Sequence, residues 1–193
     1  MSRSETPKNL RLFVAVYPPP ATARVLLEAL AGMDLPPHRL VAPEQVHLTL
    51  QFIGDTPPSR LAEVTETVRR AAGGVGGFPM TPQRLITLPR RRPPRLVAVE
   101  TDRHATLLEL QRRLVARLSR SARRRPGDRF RPHLTLCRFG APTVAPALDV
   151  PLDVAPFAVE AIALVQSTLR SDGAQHKTVE VVALAGVARS TER

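Results

Sequence analysis

Short apolar runs alternate with segments whose apolar residues recur every three or four positions. Residues 10–18 (LRLFVAVYP) form a short apolar, β-branched run ended by a proline cluster, which predicts a buried strand. Residues 21–33 carry Val25, Leu26, Ala29 and Leu30 at helical spacing, with Gly32 near the end, and predict an amphipathic helix. Residues 46–53 read as a strand. Residues 59–72 read as a second helix, with Leu61, Val64 and Val68 on one face and GGVGG after it. Two strands, 80–88 and 95–99, flank the basic turn PRRRPPR, and the stripe Leu107, Leu110, Leu114 and Leu118 marks a helix over 106–121. A strand at 133–139 and a hairpin of 157–166 with 178–184 complete the chain.

Helices interspersed with hairpin-like strand pairs argue for an α+β fold with mostly antiparallel sheets. The 193 residues suit a single domain, 1–193, of two lobes. Each half of the chain holds one strand with the tetrapeptide His-Leu-Thr-Leu and at least one helix, which suggests a weak internal duplication: two lobes, each a small sheet with helices outside.

That tetrapeptide is the main chemical signal. It occurs at 47–50 in VHLTLQFIG and at 133–136 in FRPHLTLCRFG. Side chains alternate across a strand, so His47 and Thr49 share one face while Leu48 and Leu50 fill a core on the other, and His133 and Thr135 repeat the arrangement. Chance pairs of this kind number on the order of 10⁻⁵ at this chain's residue usage with positions independent, and strand bias raises that about tenfold. A strand duplicated only for packing needs the leucines, not the His and Thr. If the lobes face each other, two imidazoles and two hydroxyls converge on one place. One imidazole can take a proton from water and the other can give one to a leaving oxygen, since the histidine pKa of about 6.5 lies near operating pH. The hydroxyls can donate to phosphoryl oxygens. No paired cysteines, H-E-x-x-H, glycine-rich phosphate loop or nucleophile elbow is present, so neither a metal nor a cofactor is expected.

Composition narrows the partner. The formal net charge is +11, which points to a polyanion such as RNA, although an Arg-rich bias can also be a genome-wide habit. Cys137 is the only cysteine, so no internal disulfide can form. No segment has the length of a membrane span and no leader pattern opens the chain, so a soluble, cytoplasmic monomer is expected.

At the two HLTL segments, the opening LRLFVAVYPP and the late VQSTLRSDGAQH, the chain resembles the two-histidine phosphoesterases. More narrowly it is similar to the RNA 2',3'-cyclic phosphodiesterases, also called 2'-5' RNA ligases. The resemblance implies a bilobal fold with a central cleft between pseudo-symmetric lobes, and hydrolysis of RNA 2',3'-cyclic phosphate ends to 2'-phosphates. It implies His47 as the proton donor to the leaving 3' oxygen, His133 as the proton acceptor that activates water, and Thr49 and Thr135 as phosphate-binding groups. The family often has an aromatic residue in the late turn. His176 stands there in this chain, and Ala98 replaces a larger residue, so base stacking is expected either to be weaker or to come from elsewhere, for example Phe13 or Phe52.

Other residues have two readings. Arg138 matches a basic position after the second motif and can contact the phosphate region, yet strand parity sets it opposite His133 and Thr135, where it would pair with an acid or face solvent. Gln51 shares parity with His47 and Thr49 and can touch substrate or serve as a polar edge. Cys137 shares parity with His133 but reads as a small buried thiol. The arginines of 90–95 and 123–125 can track RNA phosphates or simply be solvated. A 2'-5' ligase, a phosphodiesterase for small cyclic nucleotides, and a non-catalytic RNA-binding module are the competing functions.

Overall fold

The computed structural model describes residues 9–90, 92–119, 130–140, 144–170 and 173–186. Among them run eleven strands and three helices: β1 (Leu10–Val16), α1 (Pro20–Ala31), β2 (His38–Leu40), β3 (Leu48–Thr56), α2 (Leu61–Ala72), β4 (Phe78–Met80), β5 (Pro82–Leu88), β6 (Leu96–Thr101), α3 (Ala105–Leu118), β7 (His133–Phe139), β8 (Asp149–Pro151), β9 (Phe157–Val159), β10 (Ala161–Arg170) and β11 (Gly173–Ala183). The strands form a four-stranded sheet β11-β10-β1-β3, a five-stranded sheet β2-β7-β6-β5-β8, and the small pair β4-β9. All pairings between these strands are antiparallel.

From Leu12 to Val16 the run is apolar throughout because β1 is central and covered on both faces. Leu12, Val14 and Val16 point into the main core. Phe13 and Ala15 point the other way, into a small cluster with Ala163, Val165 and Tyr17. The main core is continuous across both large sheets, joining Leu12 and Leu164 of one with Val97, Val99, Leu134 and Leu136 of the other. In α3 the stripe Leu107, Leu110 and Leu114 is fully buried. That helix packs on β3 and α2, whereas α1 lies against β7.

Three expectations from sequence change here. The lobes are not chain halves, since the C-terminal hairpin β10-β11 completes the sheet begun by β1 and β3. The predicted strand from 80 begins earlier and is broken, with Thr81 as a corner: its N–H donates to Asp102 Oδ1 (2.8 Å), and the Asp102 N–H donates to the Thr81 carbonyl (3.0 Å). The predicted strand 157–166 is likewise split at Glu160 into β9 and β10. These breaks free β4 and β9 to pair with each other. The last residues of the helix predicted to 121, and the arginines 123–125, lie outside the described residues. Among the described residues no helix is long and apolar enough to cross a membrane.

Leu134 sits between His133 and Thr135 but is fully buried on the core face. Leu134→Ala is expected to cost about 2–5 kcal/mol, the range for a buried leucine replaced by alanine. Urea unfolding monitored by circular dichroism measures this, and a loss below about 1 kcal/mol contradicts the core assignment.

Candidate active site

The two HLTL strands lie in different sheets, with His47 immediately before β3 and His133 opening β7. His47, Thr49, His133 and Thr135 all line one open cleft of about 840 Å³. Its size falls in the upper part of the range for small-molecule sites, roughly 300–1,000 Å³.

Both imidazoles are held the same way. His47 Nδ1 lies 2.6 Å from the Gln45 carbonyl and His133 Nδ1 lies 2.8 Å from the Arg131 carbonyl, in each case two residues back. A carbonyl can only accept, so each Nδ1 carries the hydrogen. Each Nε2 is then the atom that gains or loses the exchangeable proton. Gln45 closes a 3₁₀ turn, 43–45, that sets up the first of these contacts.

The walls follow from register. On β3, Val14 pairs with Gln51 while Ala15 pairs with Thr49, so Leu50 is an extra residue and the strand bulges. On β7, Val97 pairs with Cys137 while Ala98 pairs with Thr135, so Leu136 is extra as well. Each bulge falls at the second leucine of the tetrapeptide and reverses the parity beyond it. Phe52 and Arg138 therefore line the cleft beside the histidines. This corrects the face expected for Arg138. It also corrects Gln51, which turns away from the cleft: its amide donates to the Phe52 carbonyl (2.8 Å) and to Ser119 Oγ (3.5 Å). Cys137 does not share the face of His133 either; it is fully buried in the core.

Aromatic rings pack around His47. Phe13 lies 5.1 Å away centroid to centroid, Tyr17 5.6 Å and His176 4.9 Å. Phe13 also stacks on Phe52 at 5.7 Å, and the Arg11 guanidinium lies 5.4 Å from the Phe52 ring centre. His176 reaches the cleft because its residue pairs with Ser167 across β10-β11. Its Nδ1 is buried without a hydrogen-bond partner among the described residues. Burial, and then the charge of Arg138, hold the His176 pKa below its ordinary value. A neutral ring leaves an unpaired lone pair there rather than an unpaired charge, which is the less costly state.

Electrostatics in the ligand-free cleft disfavour protonated histidine. Burial is the main cause that lowers the His47 pKa to about 4; the Gln45 carbonyl opposes it, and His176, Arg138 and His133 add to it. His133 is lowered mainly by burial, then by Arg138 and Arg131, with the Arg131 carbonyl and Glu100 opposing. Burial alone pushes the Tyr17 phenol up to about 12. Among the described residues no group of three or more His, Cys, Asp or Glu is arranged to hold a metal ion. Arg11 and Arg39 also line the cleft and Tyr17 packs on His47, and no sequence motif marks any of the three; Arg39 lies on β2, too short and polar to show a strand pattern.

Comparisons with known proteins identify the family and the fold. The model of the 2'-5' RNA ligase superfamily matches residues 18–170. An RNA 2',3'-cyclic phosphodiesterase of Thermus thermophilus is 32% identical in an alignment of 192 positions that covers 92% of this chain and 91% of that protein. Among solved structures, the crystal structure of TT0787 of Thermus thermophilus shares the fold with a TM-score of 0.79 and 30% identity, covering 91% of this chain and 98% of that one. The apo structure of E. coli LigT gives a TM-score of 0.73 at 25% identity over 93% and 99% of the two chains. With a family match across most of its length and paired histidines in one cleft, this chain belongs to the 2'-5' RNA ligase superfamily.

Proposed function

We propose that this protein hydrolyses 2',3'-cyclic phosphate ends of RNA, leaving a 2'-phosphate and a free 3'-hydroxyl. The observation that carries the reading is the pair of HLTL imidazoles in one cleft, each anchored through Nδ1 to the carbonyl two residues back. The name of the Thermus relative supports the same reaction.

In this reading water attacks phosphorus while His133 Nε2 takes its proton. The bond from phosphorus to O3' breaks, and His47 Nε2 gives its proton to O3'. Thr49 and Thr135 donate hydrogen bonds to the non-bridging oxygens, where charge builds in the transition state. The acid–base pair supplies the proton transfers without help from a metal ion. A 5'-hydroxyl in place of water runs the same steps toward a 2'-5' linkage.

The low His47 pKa is compatible with an acid role because the substrate brings a negative charge. A phosphodiester anion beside His47 favours the imidazolium and opposes the burial that lowers its pKa. The ligand-free enzyme is active only in the fraction with His47 protonated and His133 neutral.

Replacing either His47 or His133 by Ala is expected to lower kcat by about 10²–10⁴-fold, the usual size of general acid–base catalysis. The assay is RNA ending in a 2',3'-cyclic phosphate, with excess EDTA present, a 5'-hydroxyl oligonucleotide in a parallel reaction, and the end group identified. Wild-type rates in both variants end the proposal, and a joined product in place of a 2'-phosphate reassigns the reaction to ligation.

The pH dependence follows from the lowered values. The profile of kcat/KM reports the free enzyme, where His47 titrates at about 4 and His133 below its ordinary 6.5. It is therefore expected to peak on the acid side of 6.5. Above the peak, rising pH strips the proton from His47 and kcat/KM falls about tenfold per unit. The kcat profile lies at higher pH because the bound anion raises both values. A kcat/KM still climbing between pH 7 and 8 contradicts these assignments.

A further inference from the structure

The two imidazoles are anchored alike, but their anchors are built differently. The Gln45 carbonyl is set by its own 3₁₀ turn, 43–45. The Arg131 carbonyl has no such turn, because residues 130–132 form neither helix nor strand. They are held instead from the end of β6 and the residues just after it. The Arg103 guanidinium donates to the Phe130 carbonyl (2.7 Å), and the Thr101 N–H donates to the Pro132 carbonyl (3.2 Å). Between these two, the Glu100 carboxylate lies 3.4 Å from Arg131 Nε. Each residue of the segment is thus tied to 100–103, and the Arg131 carbonyl is left to accept from His133 Nδ1.

Glu100 also stands beside the imidazole itself. It is the residue paired with His133 across β6-β7. Residues directly opposite in an antiparallel pair share a face, with Cβ atoms about 4.5–5.5 Å apart. His47 has no counterpart to this carboxylate among the described residues: the charged groups that act on it are His176, Arg138 and His133. Around His133 stand Arg131 before the strand, Arg138 on β7 itself and His47 across the cleft, while β2 brings Arg39 opposite Arg138. Among the described residues, Glu100 is the acid that acts on His133.

The carboxylate is shared, since Arg90 also lies 3.6 Å from it and reaches on to Asp149 at 3.4 Å. Ion pairs as open to solvent as these add little to stability. Their consequence lies in orientation and in the charge beside His133. The general base gains a positive charge as the reaction proceeds, whereas the general acid loses one. A carboxylate beside the first and none beside the second matches both changes.

We propose that Glu100 is a positioning residue for the general base: it holds Arg131 so that the carbonyl stays on His133 Nδ1, and its charge favours the imidazolium formed when Nε2 takes a proton from the attacking water. This rests on the cyclic phosphodiesterase reading, in which the water oxygen bonds to phosphorus as that proton leaves, the bond to O3' breaks, and His47 protonates O3'. A carboxylate behind a catalytic histidine commonly acts through a direct hydrogen bond to Nδ1. Here a backbone carbonyl occupies Nδ1, and the carboxylate acts across the strand ladder and through Arg131.

The test follows the imidazole nitrogen resonances of both histidines by NMR during a pH titration of the ligand-free protein. In Glu100→Gln the His133 pKa is expected to fall by about half a pH unit, the scale of one charge several ångströms away in water. The His47 pKa is expected to stay where it is. Neutral His133, an Nδ1–H tautomer in the wild type, is expected to become a mixture of tautomers. Arg131→Gln takes a counter-charge from Glu100, so there the His133 pKa rises while the tautomers again mix. Glu100→Asp keeps the charge and returns the pKa toward that of the wild type. With RNA ending in a 2',3'-cyclic phosphate at about pH 7.5, kcat is expected to fall about three- to fivefold in Glu100→Gln with KM little changed. His133 is neutral there in wild type and variant alike, so the loss reflects the strength and aim of the base.

An unchanged pKa and tautomer of His133 in Glu100→Gln overturns the role and leaves the phosphodiesterase reading intact. So does a shift in the same direction in Glu100→Gln and Arg131→Gln, the mark of a general loosening. If Glu100→Gln does not fold, Arg131→Gln decides alone: a raised pKa supports the role, and an unchanged or lowered one overturns it. If the wild type hydrolyses no cyclic phosphate, the reading of the reaction fails. The titration still decides whether Glu100 sets the tautomer and charge of His133.

Discussion

β3 and β7 each carry one residue more than their neighbour at the second leucine of HLTL, and the cleft depends on that extra residue. Without the bulge, strict alternation would send Phe52 and Arg138 to the core face and bring Gln51 and Cys137 to the histidines. With it, Leu50 and Leu136 stay buried while the residue five positions after each histidine turns into the cleft. On one wall that residue is an aromatic ring and on the other a guanidinium. The duplicated device thus gives the cleft two different walls, one aromatic at Phe52 and one cationic at Arg138.

A second constraint is the shared core. Because the buried leucines and valines of the two large sheets form one continuous cluster, the two His–Thr faces cannot move apart without opening apolar contacts. The chain reinforces this by interleaving. β10 and β11 come from the C-terminus yet pair beside β1, and they deliver Ser167, Gly173 and His176 to the cleft. Fixed walls matter for proton transfer, since a general acid and a general base must both stay within hydrogen-bond reach of the reacting atoms.

The cleft's charge balance follows from the same arrangement. Rings of Phe13, Tyr17 and His176 shield His47 from water, and burial keeps both catalytic candidates neutral when the cleft is free of ligand. Arg138 on the opposite sheet adds positive potential that lowers the pKa of both imidazoles. An anionic ligand opposes that potential and so favours a protonated imidazole. Anion binding and histidine protonation are thereby coupled.

What the sequence determined by itself was local. The apolar run of β1, the leucine stripe of α3 and the pairing of His with Thr two residues on are matters of periodicity within one segment, and the α+β class follows from their order. The duplicated tetrapeptide already named the four central side chains and the leucines that anchor them. Tertiary structure decided what depends on a partner. The bulges at Leu50 and Leu136 exist only against β1 and β6, so neither the face of Arg138 nor that of Gln51 could be read from alternation. The short strands β2, β4, β8 and β9 have too few residues for a periodic signal and form because an edge is there to receive them. The close approach of Arg39 to Gly173 joins residues far apart in the chain, through a contact that only the packing of the two sheets against each other creates.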